Sequence, residues 1–298
     1  MNMPPHHRLL PDGRRLHLGH GPIDLIVQAE GPDTAVAEGY RRAVARFDGL
    51  LEELVAELPL LRQPLQGGSC PLHGPVARRM WQAAGRFGTA FVTPMAGVAG
   101  AVAEAVLNSM VDVPGLTRAS VNNGGDIALF MVPGAAEWRL GVVVDPQNPA
   151  SPGVLEIGPG DACRGVATSG AKGRSHSLGI ADSVTVLATD APTADVAATL
   201  LGNAVDLPGH PAISREPAQD LSPDSDLGAR LVTVAVAALS EAEVAQALDA
   251  GEDLANAMLA AGLVIGAVLV LQGRVRLVGR VPMAMKNYGI SNGKLLNV

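Results

Sequence analysis

Between Val166 and Asn203 the chain gathers Ser169, Lys172, His176, Asp182, Asp195 and Thr199, its densest set of polar groups with chemical potential. Asp195 and Thr199 stand four residues apart in TADVAATLLGN, which reads as a helix opened by Asp195 with Pro192 at its start. That spacing sets a carboxylate and a hydroxyl on one helix face, where both can grip one hard cation. The plainer reading makes Asp195 a helix-start carboxylate that complements the dipole, and Thr199 an ordinary helical residue. His176 lies in a Ser-His-Ser triplet. It is either a general acid or base, since imidazole titrates near neutral pH, or a loop side chain with local hydrogen bonds. Ser169 and Gly170 read as a phosphate-holding turn, because no Gly-x-Ser-x-Gly elbow surrounds the serine. Lys172 and Arg174 either neutralise an anionic ligand or sit in solvent.

Three kinds of element must position these groups. Ser183 to Thr189 (SVTVLAT) is a β-branched run that reads as a buried strand feeding the Asp195 helix. Phe91 to Met110 (FVTPMAGVAGAVAEAVLNSM) opens a helix with glycines and alanines, which permits close approach of another backbone or an anion at its amides. Ala119 to Val132 (ASVNNGGDIALFMV) is strand, tight turn, strand; Asn123, Gly124, Gly125 and Asp126 make the turn and offer amide donors with one carboxylate. On its own, Asp126 there is an ordinary turn residue. Elsewhere Ala35 to Leu61 reads as one amphipathic helix, Pro75 starts another, and LVTVAVAAL reads as a buried strand. Ser240 and Glu243 have capping-box spacing. Mixed helices and hairpins without βαβ alternation predict an α+β fold, taken as one domain over 1–298 with a weakly structured N-terminus at 1–20 and a polar loop at 205–229.

Composition narrows the function. A chain of 298 residues that is 48% hydrophobic can bury a substantial core, yet it is only 3% aromatic and so lacks the rings on which single-stranded nucleic acid stacks. A formal charge of −7 gives no footprint for a polyanion, so nucleic acid is not an expected partner. The two cysteines, Cys70 and Cys163, have no metal-type spacing and read as free thiols in a reducing cytosol. The N-terminus lacks an apolar signal core, so a cytoplasmic location is expected. Leu254 to Leu271 is uncharged, but its composition shifts at Gly262, which reads as helix end then strand rather than a membrane span. His6, His7, His17 and His20 show no pairing on a helical face and read as solvated terminal residues.

Three pieces in the same order resemble the ApbE superfamily, the FAD:protein FMN transferases: PMAGVAGAVAEAVL, SVNNGGDIALFMVPGAAEWRLGVVVDP, and ATSG followed by SVTVLATDAPTADVAATLL. The resemblance covers roughly residues 90 to 205 and is nearest to a smaller branch of that superfamily. It implies mixed sheets with flanking helices around a cleft, and a divalent ion, usually Mg2+, held by Asp195, Thr199 and the carbonyl near Ala99. It also implies FAD or a related nucleotide as ligand. Two departures stand out. Ala99-Gly100-Ala101 lacks the family's lysine, and the loop AKGRSHSLGIAD lacks its Asp-Pro-x-Thr-Gly segment, leaving His176 to stand in for the family histidine. The expected function is binding of a flavin or another phosphate-bearing small molecule with a divalent cation, with phosphoryl-linked transfer or hydrolysis. The alternative is a non-catalytic cofactor-binding or accessory protein in redox or sulfur metabolism. A third, structural reading is a homo-oligomer whose apolar strands close an interface, with no small-molecule site.

Overall fold

The structure is a computed structural model and describes residues 4–65, 68–88, 91–142, 153–173 and 175–285. The chain opens with strands β1 (His6–Leu9), β2 (Arg15–His20) and β3 (Ile23–Glu30), followed by helices α1 (Asp33–Phe47), α2 (Leu50–Ala56), α3 (Leu58–Leu61) and α4 (Pro75–Gly85). A 3-10 turn, Pro94–Gly97, leads into α5 (Val98–Asn108). Strands β4 (Arg118–Asn123), β5 (Asp126–Met131), β6 (Trp138–Gly141), β7 (Gly153–Ile157), β8 (Gly165–Ser169) and β9 (Ser183–Ala188) precede α6 (Ala191–Ala204). The last part holds β10 (Ile213–Pro217), α7 (Ala218–Leu221), β11 (Leu231–Val236), α8 (Glu241–Ala260), β12 (Gly266–Leu271), β13 (Arg274–Gly279) and β14 (Met283–Met285).

Nine strands form one sheet in the order β1-β2-β3-β4-β5-β8-β9-β12-β13, every pairing antiparallel. Helices α5 and α6 lie side by side on it, α5 against β4 and β5, α6 against β8 and β9, with α8 over β12 and β13. The small sheet β14-β7-β6 builds a separate apolar cluster, in which Trp138, Leu155 and Ile157 join Leu129, Met131, Val166 and Leu187. The fold is α+β, as expected.

Alternation explains the layers. In β5, Ala128 belongs to the helix-side cluster and Leu129 and Met131 to the other, so Asp126, in phase with Ala128, lies on the helix side. The β4–β5 hairpin closes through Gly124 and Gly125 at φ +67° and +117°, positive values that glycine adopts without steric cost and that two-residue hairpin turns favour.

Several expectations change. The span 35–61 is three helices, because Gly49 takes φ +76° and Pro59 stands in the first turn of α3. Residues 6–9 and 15–20 are strands, because hydrogen bonding to β3 extends the sheet to the N-terminal segment. His17 and His20 are not both solvated: spaced by three in a strand they face opposite sides, and His20 is buried edge-on to Phe47 with Nε2 3.6 Å from Glu52. The segment 205–229 contains β10 and α7. Strand β11 is largely exposed, because it pairs only with β10 in a two-stranded sheet. Helix α6 is opened by Asp190, whose side chain accepts the Thr193 amide at 2.8 Å; Asp195 lies in the second turn. At the other end, α8 ends at Ala260, Gly262 takes φ +66°, and β12 follows. Among the described residues no helix is long and apolar enough to cross a membrane.

The α5–α6 seam depends on small residues. A Cβ at Gly100 would collide with the Ala191 carbonyl and lie 2.8 Å from the Pro192 nitrogen. Gly100→Ala should therefore cost about 1–3 kcal/mol, as overpacking does, read as a lower urea midpoint with unchanged slope. Gly85→Ala, where an added methyl meets nothing within 4 Å, should leave that midpoint unchanged or higher.

Candidate functional site

At the seam, the Gly100 amide donates to Asp195 Oδ2 at 2.9 Å, and the Ala99 amide also bonds this carboxylate. Asn123 Nδ2 reaches across from the hairpin and donates to the Ala99 carbonyl at 3.2 Å. Asp126, three residues further on, accepts the Thr168 amide at 3.2 Å. Four elements, α5, the hairpin, β8 and α6, therefore meet around two carboxylates. Burial dominates the electrostatics of Asp195. Burial pushes Asp195 well above the usual carboxylate range, the charge on Asp126 adds to it, and the Gly100 and Ala99 amides pull the other way. No basic side chain offsets Asp195 among the described residues.

Thr199 is half-buried on the same face of α6, one turn beyond Asp195. Gly202 continues that face, and a Cβ there would lie 3.9 Å from Ser169 Oγ and from Gly170 Cα. One helix face thus runs from the carboxylates to the Ser169–Gly170 turn. That turn is tight: Gly170 takes φ +142° against the Asp182 carbonyl, and the Ala171 and Gly173 amides are spent on Ala181 and Gly170. Lys172 Nζ lies 3.4 Å from Asp182 Oδ1. His176 is exposed, and no hydrogen bond or ion pair links it to Asp126 or Asp195. Its neighbour Ser177 fixes the loop by accepting the Thr233 amide at 2.8 Å. Arg174 lies outside the described residues.

The donor set suits a hard cation: Asp195, Asp126, the Thr199 hydroxyl and the Ala99 carbonyl are all oxygens. Among the described residues no group of three or more His, Cys, Asp or Glu side chains is arranged to hold a metal, so a cation here needs the hydroxyl and carbonyl donors. Asn123 already engages the Ala99 carbonyl and would compete with an ion for it.

Other supports escaped sequence reasoning. Arg79 forks Glu104 (2.7 and 3.2 Å) and pairs with Asp190 at 2.8 Å, while Arg86 donates to Thr193 at 3.0 Å, so α4, α5 and α6 are clamped together. Asp190-Ala191-Pro192-Thr193 carries the N-cap signal that could have located the cap. An open cleft of about 330 Å³ lies at that end of the seam, bordered by Glu104, Leu107, Phe130, Arg164 and Asp190 rather than by Asp195.

With this geometry in view, comparison with known proteins gives the affiliation. The family model described as "AbpE bacteria" matches residues 7–277. The chain belongs to the AbpE bacteria family. A UPF0280 protein of Methanosarcina acetivorans is 34% identical over 184 residues, 61% of this chain and 70% of that protein. Another, from Methanothrix thermoacetophila, is 40% identical over 158 residues, 52% of this chain and 63% of that protein, so this AbpE-family chain spans less than two thirds of its length. The apo flavinyl transferase ApbE of Pseudomonas stutzeri superposes with a TM-score of 0.42 at 13% identity, over 67% of this chain and 86% of that one. An ApbE protein of Thermotoga maritima gives 0.39 at 15% identity, over 82% and 74%. These two superpositions are too distant to bear on the site.

The raised Asp195 carboxyl sets a pH dependence in metal-free protein. Its folded value exceeds the unfolded one of about 3.9, so the folded state holds the extra proton and its stabilising effect is complete below that value. Stability is then lost as pH rises through the folded value, by up to ~1.4 kcal/mol per pH unit. Asp195→Asn should flatten this loss and raise the thermal midpoint at pH 8 in EDTA, read by scanning fluorimetry across pH 5–8.

Proposed function

We infer that this protein binds a phosphate-bearing small molecule, most simply a flavin nucleotide such as FAD, together with a divalent cation at Asp195. The carrying observation is the buried Asp195 carboxyl beside Asp126 with no basic side chain to offset it among the described residues. A hard cation such as magnesium relieves that imbalance, with Asp195, Thr199 and the Ala99 carbonyl as its holders and Asp126 close by. When bound, it supplies positive charge to phosphoryl oxygens. The flavin part of the reading rests on the motif resemblance and on family membership.

The chain's own residues divide the remaining work. Asn123 orients the Ala99 carbonyl, and the glycine turn leaves open surface beside Asp126, since a Cβ at Gly125 would meet only Thr168, at 3.9 Å. Ser169 and Gly170 border the far end of the α6 face, where a phosphate would lie. Lys172, held near Asp182, is within the same loop as a source of positive charge. A proton-moving role for His176 requires its loop to bring the exposed imidazole to the ligand.

A second reading, cofactor binding without turnover, is favoured by one observation: His176 stands exposed and unlinked to the carboxylates. Calorimetric titration with FAD, with and without magnesium, tests binding. Magnesium-dependent binding weakened at least about tenfold in Asp195→Asn and in Thr199→Val is the expected result. Absence of FAD binding in every condition overturns the flavin reading. Release of FMN from FAD, abolished by His176→Ala, would mark an enzyme; tight binding with no product would mark a carrier.

A further inference from the structure

On the face of the large sheet opposite His20 lies a pair of imidazoles that the Asp195 site does not use. The register sets His6 of β1 opposite Gly19 of β2, and Gly19 opposite Asp24 of β3. His17 is two residues from Gly19, so His6, His17 and Asp24 rise from the same face. The His6 ring lies directly on Gly19, where a Cβ would be 2.5 Å from its Cε1 and 2.6 Å from its Nε2. The absence of a side chain at Gly19 is what lets this ring settle beside His17.

Three observations give the pair its chemistry. His17 Nε2 stands 2.5 Å from Asp24 Oδ1, the carboxylate contact that orients a metal-binding imidazole and leaves its other nitrogen as the donor atom. That other nitrogen, Nδ1, is buried and without a hydrogen-bond partner, a state that costs free energy unless something occupies it. The His6 and His17 ring centres are 5.5 Å apart, tilted by 58°. An ion about 2.0–2.1 Å from one nitrogen of each ring lies about 3.2 Å from each ring centre, and a tetrahedral angle then puts the centres about 5.2 Å apart.

We propose that His6 and His17, with Asp24 behind His17, form a binding site for a zinc-class transition metal ion, entered from the exposed His6 side. Two imidazole nitrogens select a borderline ion over the hard cations suited to Asp195, and solvent completes the coordination. The ion ties β1 to the sheet. β1 is an edge strand whose residues are all exposed, so it has no core side chain to anchor it. The site is a cross-strand staple for the N-terminal strand.

The test uses the full chain without a histidine tag, stripped with EDTA and titrated with zinc chloride at pH 7.5. Wild type should bind one equivalent through this site and gain thermal midpoint with it. His6→Ala, an exposed position, should lose that equivalent and the gain. Asp24→Asn should weaken it about tenfold or more. Gly19→Ala, which removes no ligand but displaces the His6 ring, should weaken it as well. Asp195→Asn should leave it unchanged. Zinc binding and midpoint shift that are the same in wild type, His6→Ala and Gly19→Ala would overturn the proposal, as would no binding by wild type at tens of micromolar zinc.

Discussion

The seam between α5 and α6 is the contact on which the rest of the site depends. Gly100 has no side chain, so the Ala191 carbonyl and the Pro192 nitrogen come within the space a Cβ would fill. That approach brings the Gly100 amide to Asp195 and the Ala99 carbonyl to Asn123. A larger residue would separate the helices, and the carboxylate would lose a charge-assisted hydrogen bond it needs in a buried setting. The same economy recurs at Gly165, whose missing side chain lets the start of α6 sit directly on β8.

Charge is treated differently in the first two turns of α6. At the N-terminus, Asp190 caps the helix and is met by Arg79, which also forks Glu104. Those carboxylates are satisfied, and their work is to hold three helices in register. One turn further on, Asp195 is buried with Asp126 near and only amides in support. Asp190 and Glu104 thus have an arginine partner, while Asp195 rests on backbone amides. Burial favours the protonated form of such a carboxyl, while a paired and hydrogen-bonded one is tolerated as an ion.

Local patterns were legible. The double glycine after Asn123 called the hairpin turn, the Ser240–Glu243 spacing called the capping box that opens α8, and the composition shift at Gly262 called the change from α8 to β12. Asp195 and Thr199 share one face of α6, as their spacing of four predicts. Context overrides local pattern at two places. Asp195 looked like a helix opener because Pro192 marks a first turn, yet the cap is Asp190, two residues before that proline. Residues 231–236 looked buried because they are apolar, but their partner strand forms only a two-stranded sheet and leaves them exposed. Apolar composition states what burial would gain, not whether a neighbour is there to provide it.

Sequence by itself determined the α+β class, the helix face shared by Asp195 and Thr199, and the turn that carries Asn123 and Asp126, because each follows from spacing within a few residues. Tertiary structure alone decided that Asp126 shares its environment with Asp195 and that Asn123 meets Ala99. It also decided that His6 settles beside His17 while His176 stays at the surface. Those relations span strands and helices distant in the chain. They are set by sheet register and by how closely small residues let backbones approach, quantities that no local pattern encodes.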